Sequence, residues 1–384
     1  MPNADRIVDA AGGKPGKDEV TVLLTADNLL LTGWKAVRIS RSIEVATSSF
    51  ELTCSADANT LKLIGREGAP TKISIGDDTI VTGYVETIQQ VVTPRTHEIT
   101  ISGRGKLCDL VDCSCRIDRV NANASLQVLC ASIANLYSVG VIVAENGTQE
   151  TLDGLPALPR QIVSITETAW EVIERYARYC GVLVYETENG DLMISMAGLD
   201  NGGSGLALGQ NIEAIVCTKS TLGTFSTYNA VLSAYSAGAD DEGIPNLPAV
   251  TVVATGAAGN ANRFRPTYFV SEQSATDRRF IEKRVNWMAS RAYGRSRRVR
   301  ILVDNWRDAS GFPWTPNVNY PVSAALAGIA DNTILLLADV TFIRDQTGTH
   351  AELGFGPRQG FLPEPVALDV LPMDESTQTG SEGQ

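Results

Sequence analysis

The sequence is poor in the residues that carry most acid–base and metal chemistry. Its 384 residues include two histidines, His97 and His350, although histidine is the usual general base and a common metal ligand. Serine hydrolase, papain-like and phosphate-loop motifs are missing. The 44 acidic residues include no motif that selects a catalytic pair. We therefore predict no catalytic, cofactor-binding or metal-binding residues, and a protein that is not an enzyme.

Long apolar runs are also lacking. No stretch approaches the roughly 20 apolar residues of a membrane span, and the first residues lack the apolar core of a signal peptide, so we expect neither insertion nor secretion. Seven cysteines, an odd number, favour a reducing cytoplasm over a disulfide framework. A net charge of −12 argues against a general nucleic-acid binder. The length leaves room for two or three domains.

Apolar residues alternate with polar ones over residues 20–103, which predicts short strands with one buried face. In such a strand Val37 and Ile39 would lie on one face, and Arg38 and Ser40 on the other. Further strands are predicted near residues 50–54, 73–75, 79–88 and 99–101, with a turn at residues 76–78. Several short strands joined by turns predict a sandwich or small barrel.

After about residue 105 the apolar residues recur every three or four positions. Residues 125–137 place their leucines and isoleucine on one helical face. Thr168 and Glu171 have the spacing of a capping box, and the helix that follows should end at Gly181. Residues 182–186 and 192–196 are predicted to form a hairpin. This block therefore reads as α+β, with residues 198–209 as its exit loop.

The remainder of the chain returns to β character. Strands are predicted at residues 229–234, 250–254, 299–303 and 334–344, and one helix is predicted to be capped by Ser274 and Asp277. Two loops, residues 236–248 and 307–321, stand out by length and composition. The end of the chain is rich in Asp, Glu, Ser, Thr, Gly and Gln, which predicts disorder.

Three local motifs could carry chemistry, and in each a plainer interpretation is favoured. Gly103 and Gly105 after a strand could begin a dinucleotide loop, but the third glycine is missing, which favours a tight turn at a domain exit. The cysteines at positions 108, 113 and 115 lack the spacing of a zinc site, which favours buried free thiols. The acidic run at residues 240–242 lacks the spacing of a calcium loop, which favours a solvated loop.

A basic cluster contrasts with the acidic composition, and it comprises Arg278, Arg279, Lys283, Arg284, Arg291, Arg295, Arg297, Arg298 and Arg300. We favour a solvated helix face followed by the exposed face of a strand. The alternative is an electrostatic contact with an acidic partner surface or with nucleic acid. Trp34, Trp306 and Trp314 could form a binding platform, but core or interface anchors are favoured.

Three segments have a distinctive sequence: KISIGDDTIVTGYVETI at residues 72–88, SGRGKLCDLVDCS at residues 102–114 and ETAWEVIERYARYCGVLVYETENGDLMISMAG at residues 167–198. These segments resemble the baseplate hub proteins of Mu-like contractile-tail bacteriophages. That family is grouped with the late-control-D and spike N-terminal hubs of contractile injection systems. Residues 305–317 and 339–355 also fit, and the likeness runs in order over most of residues 20–355. One departure is Gly105, where the family pattern leads us to expect serine.

The resemblance implies a β-rich α+β multidomain fold, with two β-barrel domains bridged by α+β insertions and assembled as a ring-shaped trimer. With this resemblance we expect a flexible N-terminal arm at residues 1–18 and a first barrel at 19–104 that strands from about 208–235 could complete. An α+β insertion follows at 105–207. A second barrel is expected at 208–370, with a helix around 275–293 and a disordered tail at 371–384.

The resemblance also implies a function, that of a structural virion protein. The expected role is the central hub of a tail baseplate, a homotrimer that joins the hexameric tail tube to the trimeric membrane-piercing spike. Expected partners are a second copy of the chain, the tube or tube-initiator protein, the spike and other baseplate proteins. DNA would pass only transiently through a channel, with no cofactor and no stable membrane insertion. The protein would assemble in the host bacterial cytoplasm and reside in the virion.

Two alternatives from other classes stay open at the level of the sequence. One is a tail-tip peptidoglycan hydrolase, which would need a catalytic acid or a Cys/His pair. The other is a carbohydrate- or DNA-binding β-module, which the tryptophans and the basic cluster suggest. For the hub itself, the exposed faces of the barrel strands and the loop at residues 307–321, including Trp314, are predicted to supply the contact surfaces.

Overall fold

The computed structural model describes residues 8–9, 16–25, 29–55, 67–144, 154–198, 200–231, 250–253, 263–270, 278–366 and 368. Several predictions lie outside these residues. They concern most of the N-terminal arm, the loop at 236–248 with its acidic run, the helix cap at Ser274 and Asp277, and the tail at 371–384. No helix within the described residues is both long enough and apolar enough to span a membrane.

The N-terminal part is a sheet of antiparallel strands. Its strands are β1 (Val8–Asp9), β2 (Val20–Leu24), β3 (Leu29–Leu31), β4 (Ala36–Ser42), β5 (Ser49–Ser55), β6 (Pro70–Ile75), β7 (Asp78–Val92) and β8 (His97–Gly105). Alternate side chains are buried along β4, β5, β6 and β8, as the period-two pattern predicted. The hydrogen-bonded order is β1-β3-β2-β6-β7-β8-β5-β4. Val8–Asp9, inside the predicted flexible arm, pairs with β3.

Gly103 and Gly105 do not form the turn that was predicted at the end of this region. Both belong to β8, where they lie on the same buried face as Ile99 and Ile101. The turn follows at residues 106–107. The glycines serve close packing. A Cβ at Gly103 would lie 2.0 Å from the Tyr84 carbonyl oxygen and 2.6 Å from the Phe50 ring.

The α+β insertion follows directly. Its elements are α1 (Cys108–Asp112), β9 (Arg119–Val120), α2 (Leu126–Ala134), β10 (Val141–Val143), β11 (Gln161–Ile162), α3 (Ala169–Cys180), β12 (Leu183–Glu186) and β13 (Leu192–Ser195). The predicted capping box is confirmed, because the Thr168 hydroxyl accepts from Glu171 N while the Glu171 carboxylate accepts from Thr168 N. Gly181 ends α3 with φ of 75°. The hairpin β12–β13 is confirmed, and the insertion has a hydrophobic core of its own.

The C-terminal part contains three groups of elements. β14 (Asp200–Asn201) and β15 (Leu206–Ala207) pair with β21 (Val318–Ala324). β17 (Thr227–Val231), β18 (Val250–Val253) and β19 (Pro266–Val270) form a small sheet that packs on α4 (Arg278–Arg295). The remaining strands are β16 (Ala214–Lys219), β20 (Arg297–Val303), β22 (Ile329–Asp345) and β23 (Gly348–Gly356).

The two ends of the chain meet in one sheet. β4 pairs antiparallel with β22, from Ser42 opposite Asp339 to Val37 opposite Arg344. The strands predicted to complete the first barrel do not do so, because β16 pairs with β20 and β17 pairs with β18 and β19. Among the described residues the hydrogen-bonded path runs from β1 to β16 without closing. A β-rich α+β fold is therefore present, while closed barrels stay a prediction.

Tryptophans anchor the shared core of this sheet. Trp34, Trp306 and Trp314 are 7%, 0% and 2% exposed and belong to the one hydrophobic cluster that includes both ends of the chain. The indole N–H of Trp306 donates to the carbonyls of His350 and Ile343. Their interpretation as core anchors is confirmed.

Gly103→Ala should destabilise the protein, because its Cβ would collide with backbone rather than with a movable side chain. We expect the unfolding free energy to fall by at least about 1–3 kcal/mol, the usual cost of overpacking. Chemical denaturation would measure it. Ser102→Ala, at the neighbouring half-buried position of β8, is the matched control. Equal stability of the two variants would contradict the close-packing role of Gly103.

Candidate functional site at the junctions

A buried carboxylate joins the insertion to the N-terminal sheet. Glu186, at the end of β12, is 5% exposed. One of its oxygens accepts from Ser48 N at 2.7 Å, and the other accepts from Leu107 N at 3.0 Å. A Cβ at Gly105 would lie 1.9 Å from this carboxylate, so glycine rather than serine fits here. The contact fixes the hairpin of the insertion against the end of β8.

Burial raises the pKa of Glu186, because removing the carboxylate from water outweighs the two backbone donors and the nearby positive charge of Arg41. Arg41 itself is 7% exposed and donates to Glu188 at 3.2 Å. A third side chain, Tyr185, belongs to the same region, and its hydroxyl accepts from the Asn317 amide at 3.2 Å. The junction is thus polar inside and held by directional hydrogen bonds.

A single arginine joins the loop at residues 307–321 to the N-terminal sheet. Arg307 is 7% exposed, and its guanidinium donates to the carbonyls of Ile75 at 2.9 Å and Lys17 at 3.2 Å. It also donates to the Gly311 carbonyl at 3.0 Å and to the Asp78 carboxylate. This arginine therefore holds residues 17 and 18, which belong to the predicted flexible arm, against the C-terminal part.

The loop at residues 307–321 is packed differently from the prediction. Trp314 was expected to present a contact surface, but it is 2% exposed. Its indole N–H donates to the Asn305 carbonyl at 2.9 Å, and its ring packs against Tyr320 at 5.3 Å between centroids. Phe312, at 69% exposure, is the aromatic side chain that this loop presents to solvent.

The basic cluster binds the chain's own C-terminal segment. Arg284 donates to Glu364 at 3.1 Å, Arg291 donates to the Leu362 carbonyl at 3.1 Å, and Arg295 donates to the Gly360 carbonyl at 3.0 Å. Arg178, from α3 of the insertion, donates to the other oxygen of Glu364 at 2.8 Å. The prediction of a solvated face is therefore wrong for these arginines, because residues 358–364 cross α4 and take their hydrogen bonds.

Beside this segment lies a cleft of about 450 Å³ between α3, α4 and residues 43–46. Trp170 and Trp287 line it, together with charged side chains that pair with one another. Arg295 and Arg298 both bind Glu44, and the indole N–H of Trp287 donates to the Leu362 carbonyl. The cleft is consequently a seam between three parts of the chain, and the carboxylates that line it, Glu44, Glu174 and Glu364, are all paired with arginines.

The cysteine cluster contains free thiols in different environments. Cys108 is buried, Cys113 is exposed and Cys115 is half-buried, so burial was predicted correctly only in part. Burial raises the pKa of the Cys108 thiol to about 12, which keeps it protonated and unreactive. In the described portion of the chain, no group of three or more His, Cys, Asp or Glu side chains is placed to hold a metal ion.

Comparison with known proteins identifies the class. Family models match residues 21–105 (Mu phage baseplate assembly protein GpP-like, N-terminal), 107–196 (baseplate hub protein gp44-like, second domain) and 278–364 (Mu phage baseplate assembly protein GpP, fourth domain). The resemblance seen in the sequence is confirmed. The chain belongs to the Mu-like phage baseplate hub proteins and is a structural component of a phage tail baseplate.

Individual relatives agree with this class. The chain is 28% identical over 351 residues to baseplate hub protein gp44 of Escherichia phage Mu, covering 91% of this chain and 90% of that protein. The 43 kDa tail protein of prophage MuSo2 from Shewanella oneidensis has the same fold, with a TM-score of 0.74, 23% identity and coverage of 91% and 100%. A tail protein from Neisseria meningitidis MC58 gives a TM-score of 0.71, 18% identity and coverage of 89% and 98%.

Glu186→Ala should destabilise the junction, because the backbone N–H groups of Ser48 and Leu107 would lose their acceptors. Each stranded buried donor costs about 1–3 kcal/mol, measurable as a lower unfolding free energy in denaturant. Glu51→Ala, at an exposed position of β5, is the control. Equal losses in the two variants would show that the hydrogen bonds of Glu186 do not hold the junction.

Asp339→Asn should change how stability depends on pH. Asp339 lies on β22 opposite Ser42, and burial raises its pKa despite the positive charge of Arg300. A raised folded pKa contributes stability that is present below the unfolded pKa, about 3.9, and is lost as pH rises through the folded pKa. The variant should therefore gain stability relative to the natural protein as pH rises above about 4.

Denaturation at several pH values would measure the difference. Asp331→Asn, at an exposed position of the same strand, is the matched control. The prediction fails when the stability difference between Asp339→Asn and the natural protein does not grow with pH, or when Asp331→Asn shows the same growth.

Proposed function

We propose that the chain is the homotrimeric central hub of a phage tail baseplate, joining the tail tube to the membrane-piercing spike around a channel for DNA. The observation that carries this proposal is a repeat within the hub fold. The strand order β6-β7-β8-β5-β4 recurs as β21-β22-β23-β20-β16. Three copies would therefore present six similar β units to a hexameric tube, yet remain threefold symmetric toward a trimeric spike.

The charge of the chain supports passage of DNA without retention. A net charge of −12 repels phosphates, whereas proteins that hold DNA neutralise phosphates with clustered Lys and Arg. The arginines of the basic cluster that contact residues 360–364 and Glu44 are engaged within the chain. DNA is thus a transient occupant. The tube or tube-initiator protein, the spike and other baseplate proteins are the lasting partners.

The proposal includes the domain division, the location and the absence of catalysis. β8 ends at Gly105 and β15 ends at Ala207, which supports an insertion at residues 105–207 between β units at 19–104 and 208–370. A tail hub resides in the virion after assembly in the host bacterial cytoplasm. A structural role without enzymatic activity is supported by relatives that are named as baseplate and tail proteins.

The solution mass of the purified chain tests the assembly. We expect light scattering to give three times the chain mass of 41.0 kDa, because a ring of this kind needs an extensive buried interface. Negative-stain averages of the same fraction should show a ring with a central hole. A single-chain mass at every concentration would contradict the trimer.

A further inference from the structure

The two β units match residue by residue. In the N-terminal β unit (β4–β8), the β7–β8 register shifts after Val85. In the C-terminal β unit (β16 and β20–β23), the β22–β23 register shifts after Leu337. Gly68 lies just before the β6–β7 hairpin, has a positive φ and donates its N–H to the Val85 carbonyl. Asn317 lies just before the corresponding β21–β22 hairpin, also has a positive φ and donates its N–H to the Leu337 carbonyl. These coincidences align residues 87–92 with residues 339–344.

The same alignment relates β4 to β16. Ala36 opposite Thr53 on β5 corresponds to Ala214 opposite Leu302 on β20. The two strands have the sequences AVRISR and AIVCTK over six aligned positions. Each lies at the outer end of its unit and pairs antiparallel with the strand before it in the path.

One contact breaks the equivalence of the units. The outer edge of β4 pairs with residues 339–344 of β22. The corresponding edges are the outer edge of β16 and residues 87–92 of β7. Among the described strands, neither has a partner on that side. The β4–β22 pairing is therefore one complete joint between the units. The outer edge of β16 and the edge of residues 87–92 are the two separated halves of a second joint.

Burial shows what the unpaired halves lack. On the complete joint Ile39 and Phe342 are both 0% exposed. At the corresponding positions of the free edges Cys217 is half-buried and Gln90 is exposed. The neighbouring valines of these edges, Val216, Val91 and Val92, are 61%, 43% and 66% exposed. An exposed sheet edge that carries apolar side chains is an open template for another strand. The second copy is the natural occupant, since it presents the complementary half.

We propose that β16 of one copy pairs antiparallel with residues 87–92 of the next copy, and so repeats the β4–β22 joint between chains. This inference rests on the proposed homotrimer. The register transfers directly, and the opposed pairs are Ile215 with Val92, Val216 with Val91, Cys217 with Gln90, Thr218 with Gln89 and Lys219 with Ile88. The contact is head-to-tail, so three copies close a ring in which joints within and between chains alternate.

The geometry of the existing joint selects the best pair to test. Ile43 N donates to the Ala338 carbonyl, so the hydrogen-bonded pairs are every second pair from there. Arg38 with Ile343 is consequently a non-hydrogen-bonded pair, as is its equivalent, Val216 with Val91. Such pairs bring Cα atoms to about 4.5 Å, which lies within the range that a disulfide bridges.

Disulfide trapping of the double variant Val91→Cys with Val216→Cys in the full chain tests the proposal. Mild oxidation with diamide, which accepts the two electrons and two protons, should give covalent dimers and trimers on a non-reducing gel. The natural protein, oxidised in the same way, shows how much cross-linking its own cysteines produce. Val128→Cys with Val216→Cys is the matched control, because Val128 is 62% exposed but lies on α2. If light scattering shows a trimer but the double variant gives no more cross-linked product than these controls, the proposed interface is wrong although the trimer is right.

A charge swap gives an independent readout without oxidation. Val216→Glu combined with Val91→Glu should weaken association several-fold at each joint, because the two carboxylates would lie directly opposite one another and repel. Replacing Val91→Glu by Val91→Lys in this variant should restore the trimer by pairing opposite charges. Both positions are exposed within one chain, so the thermal unfolding of the monomer should not change. Unaltered association in the doubly acidic variant would overturn the interface, and a natural protein that never associates would overturn the trimer as well.

Discussion

The antiparallel pairing of β4 with β22 is the contact on which the rest of the structure depends. It joins residues 301 positions apart, as in the 3.0 Å hydrogen bond between the Ser40 and Thr341 hydroxyls. Because of it, both β units share one hydrophobic cluster. The entropy of closing a loop grows only with the logarithm of its length. A large insertion between the paired strands is therefore tolerated, provided that it has a core of its own, as this one has.

The insertion is then oriented by a few polar contacts. Glu186 fixes its hairpin to Ser48 and Leu107, and Glu364 bridges Arg178 on α3 to Arg284 on α4. Buried polar groups add little net stability, but leaving one unpaired is costly. Such contacts reject wrong orientations of the insertion more than they strengthen the right one. The proposed hub, whose surfaces would meet several partners, needs that orientation to be fixed.

Local signals made the elements predictable from the sequence. Alternating burial gave β4, β5 and β8, and the spacing of Thr168, Glu171 and Gly181 gave α3. The failures share one cause, which is that the deciding neighbour lies far away in the sequence. Gly103 and Gly105 resemble a turn until Tyr84 and Glu186 are placed beside them.

The same cause hid the junctions. The arginines of α4 appear solvated until residues 360–364 are folded across them, and Trp314 appears available until Tyr320 and Asn305 enclose it. Periodicity states which face of a strand is buried but not which strand lies next to it. The pairing of β4 with β22, and the repeat that follows from it, could therefore be found only in the structure.

The differences between the two units indicate how firmly each joint is held. Inside the chain, the core-facing pair is Ile39 with Phe342, which buries large apolar area that drives folding. At the corresponding place in the proposed contact between chains the pair would be Cys217 with Gln90, and the next pair on the same face would be Lys219 with Ile88. These pairs face the same side of the sheet as Ile39 and Phe342, but they include polar side chains where the joint within the chain has large apolar ones. Free chains would then keep this edge in water without collapsing on it, and the proposed ring would depend on the pairing of all its edges at once.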